Sequence, residues 1–398
     1  MGRLVFVFLF LLSTDFWSNR LWLDMPVSSI AKQIIGFILL IFSIIYLKKN
    51  KDIVFRKELI IFLLTFLFSA VSSYILYRQS FYLSIKGSMT FVYPVGLFLF
   101  AHKCQLSEKF ILKSLLFFTF IFTAIEIFEQ FTYPAYWFCG RIEKEGQRFV
   151  EERMGLWRMY IFGIYYCLLA FVIVLQKIIN GNNLRTNTIN IVVIFIGIVF
   201  FVARKDIFAA LSVVPLAFIF GKGKNRVYTK LILIGLVIGA IFYLPTLMED
   251  LIDQTTNEIG DEDFIRYVAA FHFLFEMNDS PLYYLFGAGI PTGDSQLYSI
   301  VEDLAELRGI YQADCGFVGY FSKVGIVGFL PYVLIFKKII ANHTAVELFS
   351  FLYIVLIIEL SFFDFWGDTL RNLSAFMIFL YLTEICIRRN KKKKPVYS

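Results

Sequence analysis

Charged residues are scarce in this chain of 398 residues, where Asp, Glu, Lys and Arg make up 17% of the sequence. Hydrophobic residues make up 59%, aromatic residues make up 19%, and the mean hydropathy is +0.71. A water-soluble protein of this length could not solvate so much apolar surface, so the composition predicts an integral membrane protein. The net charge of +7 is then attributed to loops anchored in the cytoplasm, and nucleic acid is not expected as a partner.

Cysteine and histidine are also rare, with five and three residues respectively. The cysteines are scattered without CxxC spacing, so they define neither a metal site nor a disulfide framework. The three histidines, His102, His272 and His343, are dispersed and form no zinc pattern and no Ser-His-Asp arrangement. The sequence therefore predicts no metal ion and no cofactor.

Long apolar runs dominate what is present, and a membrane-spanning helix needs about 20 such residues. The runs are continuous rather than alternating, which favours helices over a β-barrel. The predicted helices are 4–22, 29–47, 58–77, 82–101, 110–131, 159–176, 187–203, 206–221, 230–247, 315–336, 344–362 and 370–387. The predicted fold is therefore an all-α polytopic membrane protein with about twelve transmembrane helices, in which residues 1–398 form a single domain.

Lysine and arginine cluster in alternate loops, and the positive-inside rule places these loops in the cytoplasm. They are Lys48, Lys49, Lys51, Arg56 and Lys57; Lys103, Lys109 and Lys113; Lys177 and Arg185; Lys222, Lys224, Arg226 and Lys230; Lys337 and Lys338; and Arg388, Arg389 and Lys391 to Lys394. Both termini are then cytoplasmic. The loop 132–158 and the large loop 246–314 are extracytoplasmic.

The large loop 246–314 is the only segment that is both long and compatible with water. It mixes acids with aromatic residues, so it is expected to fold, and 263–276 has apolar residues at near-helical spacing. Its acidic run 261–263 spells the DxD motif of nucleotide-sugar glycosyltransferases, and GAGIPTG at 287–293 lacks the lysine and hydroxyl residue of a P-loop. Nucleotide sugars and ATP are absent from the outer face, so neither string predicts nucleotide binding.

By the positive-inside rule, basic residues are unexpected in the predicted extracytoplasmic loops, so those that occur there are candidates for binding an anion. Two apolar runs are separated by little more than Arg204 and Lys205, so the connection between them must be a tight outer hairpin. Asp206 is then placed to cap the next helix. One interpretation is an interfacial anchor, since basic residues at helix ends snorkel to the surface. The other is an outward-facing cation that binds a phosphate headgroup.

Three further arginines each allow a structural and a functional interpretation. Arg266 follows the acidic run 261–263, so it either forms a local salt bridge or offers a planar fork for bidentate phosphate binding. Arg153 and Arg158, in RFVEERMGLWR, belong either to a self-neutralising surface loop or to a site for a lipid-linked anion, because they directly precede a span.

Lys323 and Asp314 are the remaining candidates. A lysine inside a span needs a carboxylate, a polyanion or water, and three intramembrane carboxylates could pair with Lys323. They are Glu126, Glu129 and Glu359. Asp314, where the large loop meets the tenth predicted helix, is either an N-cap or a general base. Asp364, Asp368 and Arg371 form a small outer cluster that is interpreted as structural.

The layout resembles the bacterial O-antigen polymerase and ligase superfamily, and most closely its Wzy-type polysaccharide polymerases. The matching strings are ARKDIFAALSVVPLAFIF at 203–220, IRYVAAFHFLFEMNDSPLYYLFGAGIP at 265–291 and DCGFVGYFSKVGIVGF at 314–329. Arg153 with Gly155 is similar to an Arg-Gly element of the family. Ligases usually carry His-Asn where this chain has Asp314-Cys315, which favours the polymerase.

The resemblance implies a GT-C-type glycosyltransferase of the bacterial inner membrane that needs neither metal nor nucleotide. It would join undecaprenyl-diphosphate-linked oligosaccharides in the periplasm, as for O-antigen or capsule. Arg204 and Arg266, aided by Arg153, Arg158, Lys205 and Lys323, would offset charge on the departing diphosphate. Asp314 would be the base, and loop aromatics such as Tyr267 would stack on sugars.

The alternatives are an O-antigen ligase and, from another class, a repeat-unit flippase or secondary transporter. Internal repeats and broken helices in matching positions are typical of transporters, and the sequence shows neither. The lipid bilayer and the lipid-linked oligosaccharide are the expected partners, with a chain-length regulator as a further candidate.

Overall fold

The computed structural model describes residues 1–14, 16, 25–135, 137–138, 151–153, 156–158, 163–221, 235 and 265–393. Two compact units are interleaved along the chain. Unit 1 comprises residues 1–29, 106–260 and 347–359, and unit 2 comprises residues 30–105, 261–346 and 360–398. The predicted single domain 1–398 stays a prediction.

The described residues are mainly α-helical, as the sequence predicts. Unit 1 contains α1 (Gly2–Ser13), α5 (Glu108–Thr132), β1 (Glu151–Arg153), β2 (Leu156–Arg158), α6 (Ile164–Ile179), α7 (Leu184–Phe200), α8 (Arg204–Phe220) and most of α14 (Leu348–Ser361). Unit 2 contains most of α2 (Met25–Lys49), together with α3 (Arg56–Tyr77), α4 (Phe81–Lys103), α9 (Ile265–Phe271), α10 (Pro281–Phe286), α11 (Gln296–Arg308), α12 (Phe317–Val324), α13 (Leu330–Ala341) and α15 (Leu370–Lys393). Short turns complete unit 2: a π-helical turn at His272–Glu276 and 3-10 turns at Gln312–Cys315 and Ile326–Phe329.

Five of the described helices are long and apolar enough to cross a membrane, and the number is six if the bent pair α12–α13 is one span. Four shorter apolar helices, α1, α6, α7 and α14, have 10–17 residues. The described helices therefore support a membrane protein. The predicted helix 230–247 lies outside the described residues, apart from residue 235.

Serine side chains fix where several helices begin. Ser107 accepts a hydrogen bond from the backbone N–H of Phe110 at the start of α5, and Ser80 does the same for Leu83 at the start of α4. Such caps satisfy backbone donors that the first turn of a helix leaves free.

Peripheral and core helices differ in how their apolar side chains are distributed. One face of α2 exposes seven large apolar side chains, as expected for a surface in contact with lipid. They are Ile30, Ile34, Phe37, Ile38, Ile41, Ile44 and Ile45. In unit 1, α6 is instead buried on all sides against α5, α7 and α8, which makes it the core helix of that unit.

The predicted continuous helix 315–336 is wrong. The chain breaks at Gly325, and α12 and the segment Ile326–Ala341 are inclined at 115° to each other. Gly325 has φ +63°, and an added Cβ would lie 2.3 Å from the backbone of Leu285. Because both halves are apolar, hydropathy alone did not show the break.

Candidate functional site

The hairpin that presents Arg204 is tight, as predicted. α7 ends at Phe200 and α8 begins at Arg204, with Ala203 as the N-cap residue. Val202, between them, is fully buried with φ +53°, a conformation that is unfavourable for a β-branched residue and typical of functional or strained sites. Arg204 and Lys205 are half-buried in the first turn of α8.

Asp206 does not cap α8, which corrects the sequence interpretation. It is the third residue of the helix, is 2% exposed and lies in the first turn, where a carboxylate interacts favourably with the helix dipole. Three consecutive charged residues therefore open α8, and the first two are partly accessible.

Arg153 and Arg158 lie on a β-hairpin that the sequence did not predict. In the antiparallel pairing of β1 and β2, Arg153 opposes Leu156 and Arg158 opposes Glu151. Gln130, near the end of α5, accepts from the backbone N–H of Trp157 at 2.8 Å and donates to its carbonyl at 2.5 Å. The hairpin is therefore attached to the end of α5, while the side chains of the two arginines lie outside the described residues.

Arg266, Tyr267 and Asp314 are exposed side chains of unit 2 that share one small apolar core. Arg266 and Tyr267 belong to α9, and Tyr267 is 55% exposed. Asp314 belongs to the 3-10 turn Gln312–Cys315. The core that joins α9, the π-helical turn, α11 and this 3-10 turn consists of Ala269, Phe273, Leu304, Ile310 and Cys315. The structure thus gathers these three predicted site residues on adjoining elements.

Asp314 is not the N-cap of the following helix, so that alternative is wrong. Gly316 has that position, with φ +50° and no side-chain cap bond. An added Cβ at Gly316 would lie 2.4 Å from the carbonyl oxygen of Ser361, so the backbone at Ser361 approaches too closely for any residue other than glycine. The Asp314 carboxylate is left at the surface.

Cys315, next to Asp314, is not a reactive thiol. Burial, followed by the nearby charge of Asp314, raises the pKa of Cys315 to about 12. Because the thiolate is the nucleophilic form, Cys315 is inert near neutral pH.

Lys323 pairs with Asp368, which was not among its predicted partners. Its amino group lies 2.6 Å from each carboxylate oxygen of Asp368, and the side chains of Lys323 and Asp368 are only 13% and 9% exposed. The predicted partner Glu359 instead accepts a hydrogen bond from Ser212, and Glu129 accepts from two backbone N–H groups. The charge of Lys323 is therefore balanced inside unit 2.

The turn 287–289 directly follows α10 and contains two glycines, and this glycine turn stabilises the end of α12 where the helix breaks. Ala288 N–H donates to the carbonyl of Ser322 at 2.7 Å, and Gly289 N–H donates to that of Lys323 at 3.0 Å. The hydroxyl of Ser69 also donates to the Lys323 carbonyl, at 2.7 Å. Carbonyls at a helix end need such partners away from water, so the turn replaces the missing next turn of helix.

A cleft of about 390 Å³ in unit 2 was missed by sequence analysis. It is lined by Tyr77, His272, Glu276, Met277, Ile300, Asp303, Leu304, Leu307 and Arg308. His272 Nδ1 lies 2.8 Å from a Glu276 carboxylate oxygen. The only available signal was the i,i+4 spacing of these two residues in HFLFE, which is also common on ordinary helix surfaces. A cleft with carboxylates, an arginine and a tyrosine can bind polar, hydroxyl-rich ligands.

Within the described ranges, no three His, Cys, Asp or Glu side chains come together to hold a metal ion. Asp314, Arg266, Tyr267 and Lys323 belong to unit 2, whereas Arg204, Lys205, Arg153 and Arg158 belong to unit 1. The described helices indicate an α-helical protein with five or six helices apolar enough to cross a membrane, and among these cations the described side chain of Arg266 is exposed. Comparison with protein-family models and with curated proteins found no match to this chain.

Proposed function

We propose that this protein polymerises lipid-linked oligosaccharide repeat units, of the O-antigen or capsule type, at the outer face of a bacterial inner membrane. The growing glycan would leave its undecaprenyl diphosphate and bond to the sugar of a new undecaprenyl-diphosphate-linked unit. A hydroxyl oxygen of the acceptor attacks the anomeric carbon, the carbon–oxygen bond to diphosphate breaks, and a base takes the hydroxyl proton. This reaction needs neither a nucleotide nor a metal ion.

The observation that carries the proposal is the arrangement in unit 2. Arg266, Tyr267 and Asp314 are exposed on elements that share one core with the π-helical turn and α11, and these last two elements supply most of the lining of the polar cleft. Asp314 is the proposed base for the acceptor hydroxyl. Tyr267 offers an exposed ring for stacking on a sugar, and the cleft offers the hydrogen-bonding groups that bind its hydroxyls.

Arg266 is the proposed cation of unit 2 for the departing diphosphate. The alternative interpretation, a local salt bridge between Arg266 and the acidic run 261–263, involves residues outside the described ranges.

Arg204 is the proposed cation of unit 1. It stands with Lys205 at the N-terminus of α8, where the helix dipole favours an anion. A partly accessible guanidinium adds bidentate binding of phosphate, and Arg153 and Arg158 are proposed to assist.

The proposal includes about twelve spans with both termini in the cytoplasm. The shorter apolar helices α1, α6, α7 and α14 and the predicted helix 230–247 would supply the spans beyond the five or six that the described helices support by length. The lysine and arginine distribution then leaves loops 132–158 and 246–314 outside.

A flippase or secondary transporter is the second candidate, because of one specific observation. Transporters bind substrates at broken helices, and the α12–α13 pair is broken by 115°. The break itself, however, is occupied by the glycine turn and by Ser69. A ligase has no structural observation in its favour.

Gel analysis of surface polysaccharide distinguishes these activities. We expect deletion of the gene to leave lipid carrying single repeat units. Arg204→Ala and Arg266→Ala should each lower polymer by about a hundredfold or more, since each removes stabilisation of the transition state. Loss of even the single unit would support the flippase or ligase instead.

The matched control is Arg185→Ala, an exposed arginine in the first turn of α7 on the predicted cytoplasmic side. All three variants should accumulate in the membrane to the same level by immunoblot, and the control should make full-length polymer. Normal chain length in both site variants would contradict the proposed roles of Arg204 and Arg266.

A further inference from the structure

One face of α5 carries a buried line of polar side chains. Thr119, Thr123, Glu126 and Glu129 follow one another at intervals of four, three and three residues, which places them on the same side of a helix. All four are at most 2% exposed, and α5 is among the helices long and apolar enough to cross a membrane. The line therefore runs through an apolar interior.

Glu126 is the exceptional member of this line. Within the part of the chain that the structure describes, neither of its carboxylate oxygens has a hydrogen-bond partner, and it is 0% exposed. Glu129 differs, since one of its oxygens accepts from the backbone N–H groups of Trp137 at 3.0 Å and Phe138 at 2.5 Å. The hydroxyls of Thr119 and Thr123 are also unpartnered among the described residues. Among the described residues, the side-chain oxygens of Glu126, Thr119 and Thr123 therefore receive no hydrogen bond.

The elements packed against α5 bring no described cation to Glu126. From α6, the Cys167 thiol lies within electrostatic range of Glu126, while the Tyr166 hydroxyl is bonded to Ser13. From α1, Arg3 lies over the ring of Phe110, about 24 Å along the helix from position 126.

The remaining helices near Glu126 are α7 and α8. α7 approaches through Gly197, where an added Cβ would lie 2.3 Å from the Thr123 hydroxyl oxygen, and its Arg185 is about 18 Å further along that helix. α8, which packs on α6, carries Arg204, Lys205 and Asp206 in its first turn, and of these the acid Asp206 lies in electrostatic range of Cys167. The charge that acts on Glu126 is that of another carboxylate, Glu129.

An ionised carboxylate without a donor or cation is strongly disfavoured in an apolar interior, and proteins avoid it by neutralising the group. We propose that Glu126 is an intramembrane proton-binding site, a glutamate held as the neutral acid near neutral pH. The ligand is a proton rather than a metal ion, because Glu126 has no cluster of further described ligands that could hold a metal. This site is independent of the proposed transferase chemistry.

The test is modification by dicyclohexylcarbodiimide, an apolar reagent that adds to protonated carboxyl groups. The full-length protein is labelled in membranes at about pH 7, digested and mapped by tandem mass spectrometry. An ordinary glutamate with a pKa near 4.3 is protonated in only about one molecule in 500 at that pH, so Glu126 should be labelled at least about a hundredfold more than an exposed glutamate such as Glu306.

Two arms define the ligand and the residue. Glu126→Gln should abolish this modification, whereas Glu129→Gln should leave Glu126 labelled. Added sodium or lithium chloride should not protect Glu126, and protection would overturn the proton in favour of a metal cation. Absence of label at Glu126 in the native chain would overturn the proposal directly, so the result does not depend on whether the variants fold.

Discussion

At the scale of single residues, the Lys323–Asp368 ion pair joins the last turn of α12 to the segment just before α15. Both side chains are largely withdrawn from solvent, and the amino group contacts both carboxylate oxygens. A pair of this kind contributes little net stability compared with apolar replacements, but removal of one partner leaves an isolated buried charge. The two single variants and the double variant should therefore behave differently.

We predict that Lys323→Met destabilises the protein by about 3–5 kcal/mol, because Asp368 is left without its cation. The double variant Lys323→Met/Asp368→Leu should recover most of this loss. Thermal unfolding in detergent, followed by circular dichroism, measures both. Lys337→Met, at an exposed lysine of α13, is the control and should unfold like the native protein. Equal stability of the single and double variants would show that the pair is not coupled.

The chemistry of Lys323 was predictable, whereas its partner was not. An apolar run of about twenty residues that contains a lysine requires a counter-charge, and this follows from sequence alone. The identity of the partner depends on which helices are neighbours. Asp368 is 45 positions away and was interpreted as part of an outer cluster, so only the fold shows the pairing.

At the scale of elements, the break between α12 and α13 depends on glycine. Gly325 and Gly293 both have φ +63°, but they differ in their surroundings. An added Cβ at Gly325 would meet the backbone of Leu285 and Phe286 at 2.3–2.4 Å, whereas at Gly293 the nearest atom is a Leu83 side-chain carbon at 3.2 Å. The two positions therefore separate the effect of backbone conformation from that of a backbone collision.

We predict that Gly293→Ala costs about 1–2 kcal/mol, the strain of a left-handed alanine, and that Gly325→Ala costs clearly more. Gly325→Ala must also push α10 away from the turn that contains Gly325. Differential thermal stability of the two purified variants measures this. Similar losses in both would mean that the packing of α10 against Gly325 contributes nothing.

Helix positions followed well from apolar runs, and helix continuity did not. The predicted helix 58–77 is Arg56–Tyr77 and the predicted helix 370–387 is Leu370–Lys393, because the length of an apolar run limits a buried helix. The predicted helix within 263–276 corresponds to α9 and the π-helical turn. Gly325 was noted only as part of a GxxG string, since its contact with Leu285 is made between segments distant in sequence.

At the scale of the whole molecule, the two interleaved units limit what sequence could predict about the site. Each unit is assembled from three separate stretches of chain, so residues far apart in sequence meet within it. Arg266 could be selected from sequence because basic residues are unusual in a predicted outer loop, and Asp314 because it lies where loop 246–314 meets the predicted helix 315–336. The cleft could not be predicted from sequence, because its lining combines Tyr77 of α3 with residues of the π-helical turn and α11.

The last three helical segments decide the topology of the proposed polymerase. By length and composition, the bent pair α12–α13 fits either of two arrangements in a membrane, a broken span or a re-entrant loop. A broken span carries the chain across the membrane, whereas a re-entrant loop returns it to the side from which it entered. The basic residues Lys337 and Lys338, at the end of α13, favour crossing into the cytoplasm.

We therefore predict that alkaline phosphatase, which is active only outside the cytoplasm, is active when fused after Arg308 and inactive when fused after Asn342 or Asn390. Fluorescent-protein fusions at the same three sites should give the complementary pattern. A re-entrant loop would instead place the sites after Arg308 and Asn342 on one side. That result would remove the even number of spans from the proposal, and with it the assignment of α9, α11 and Asp314 to the outer face.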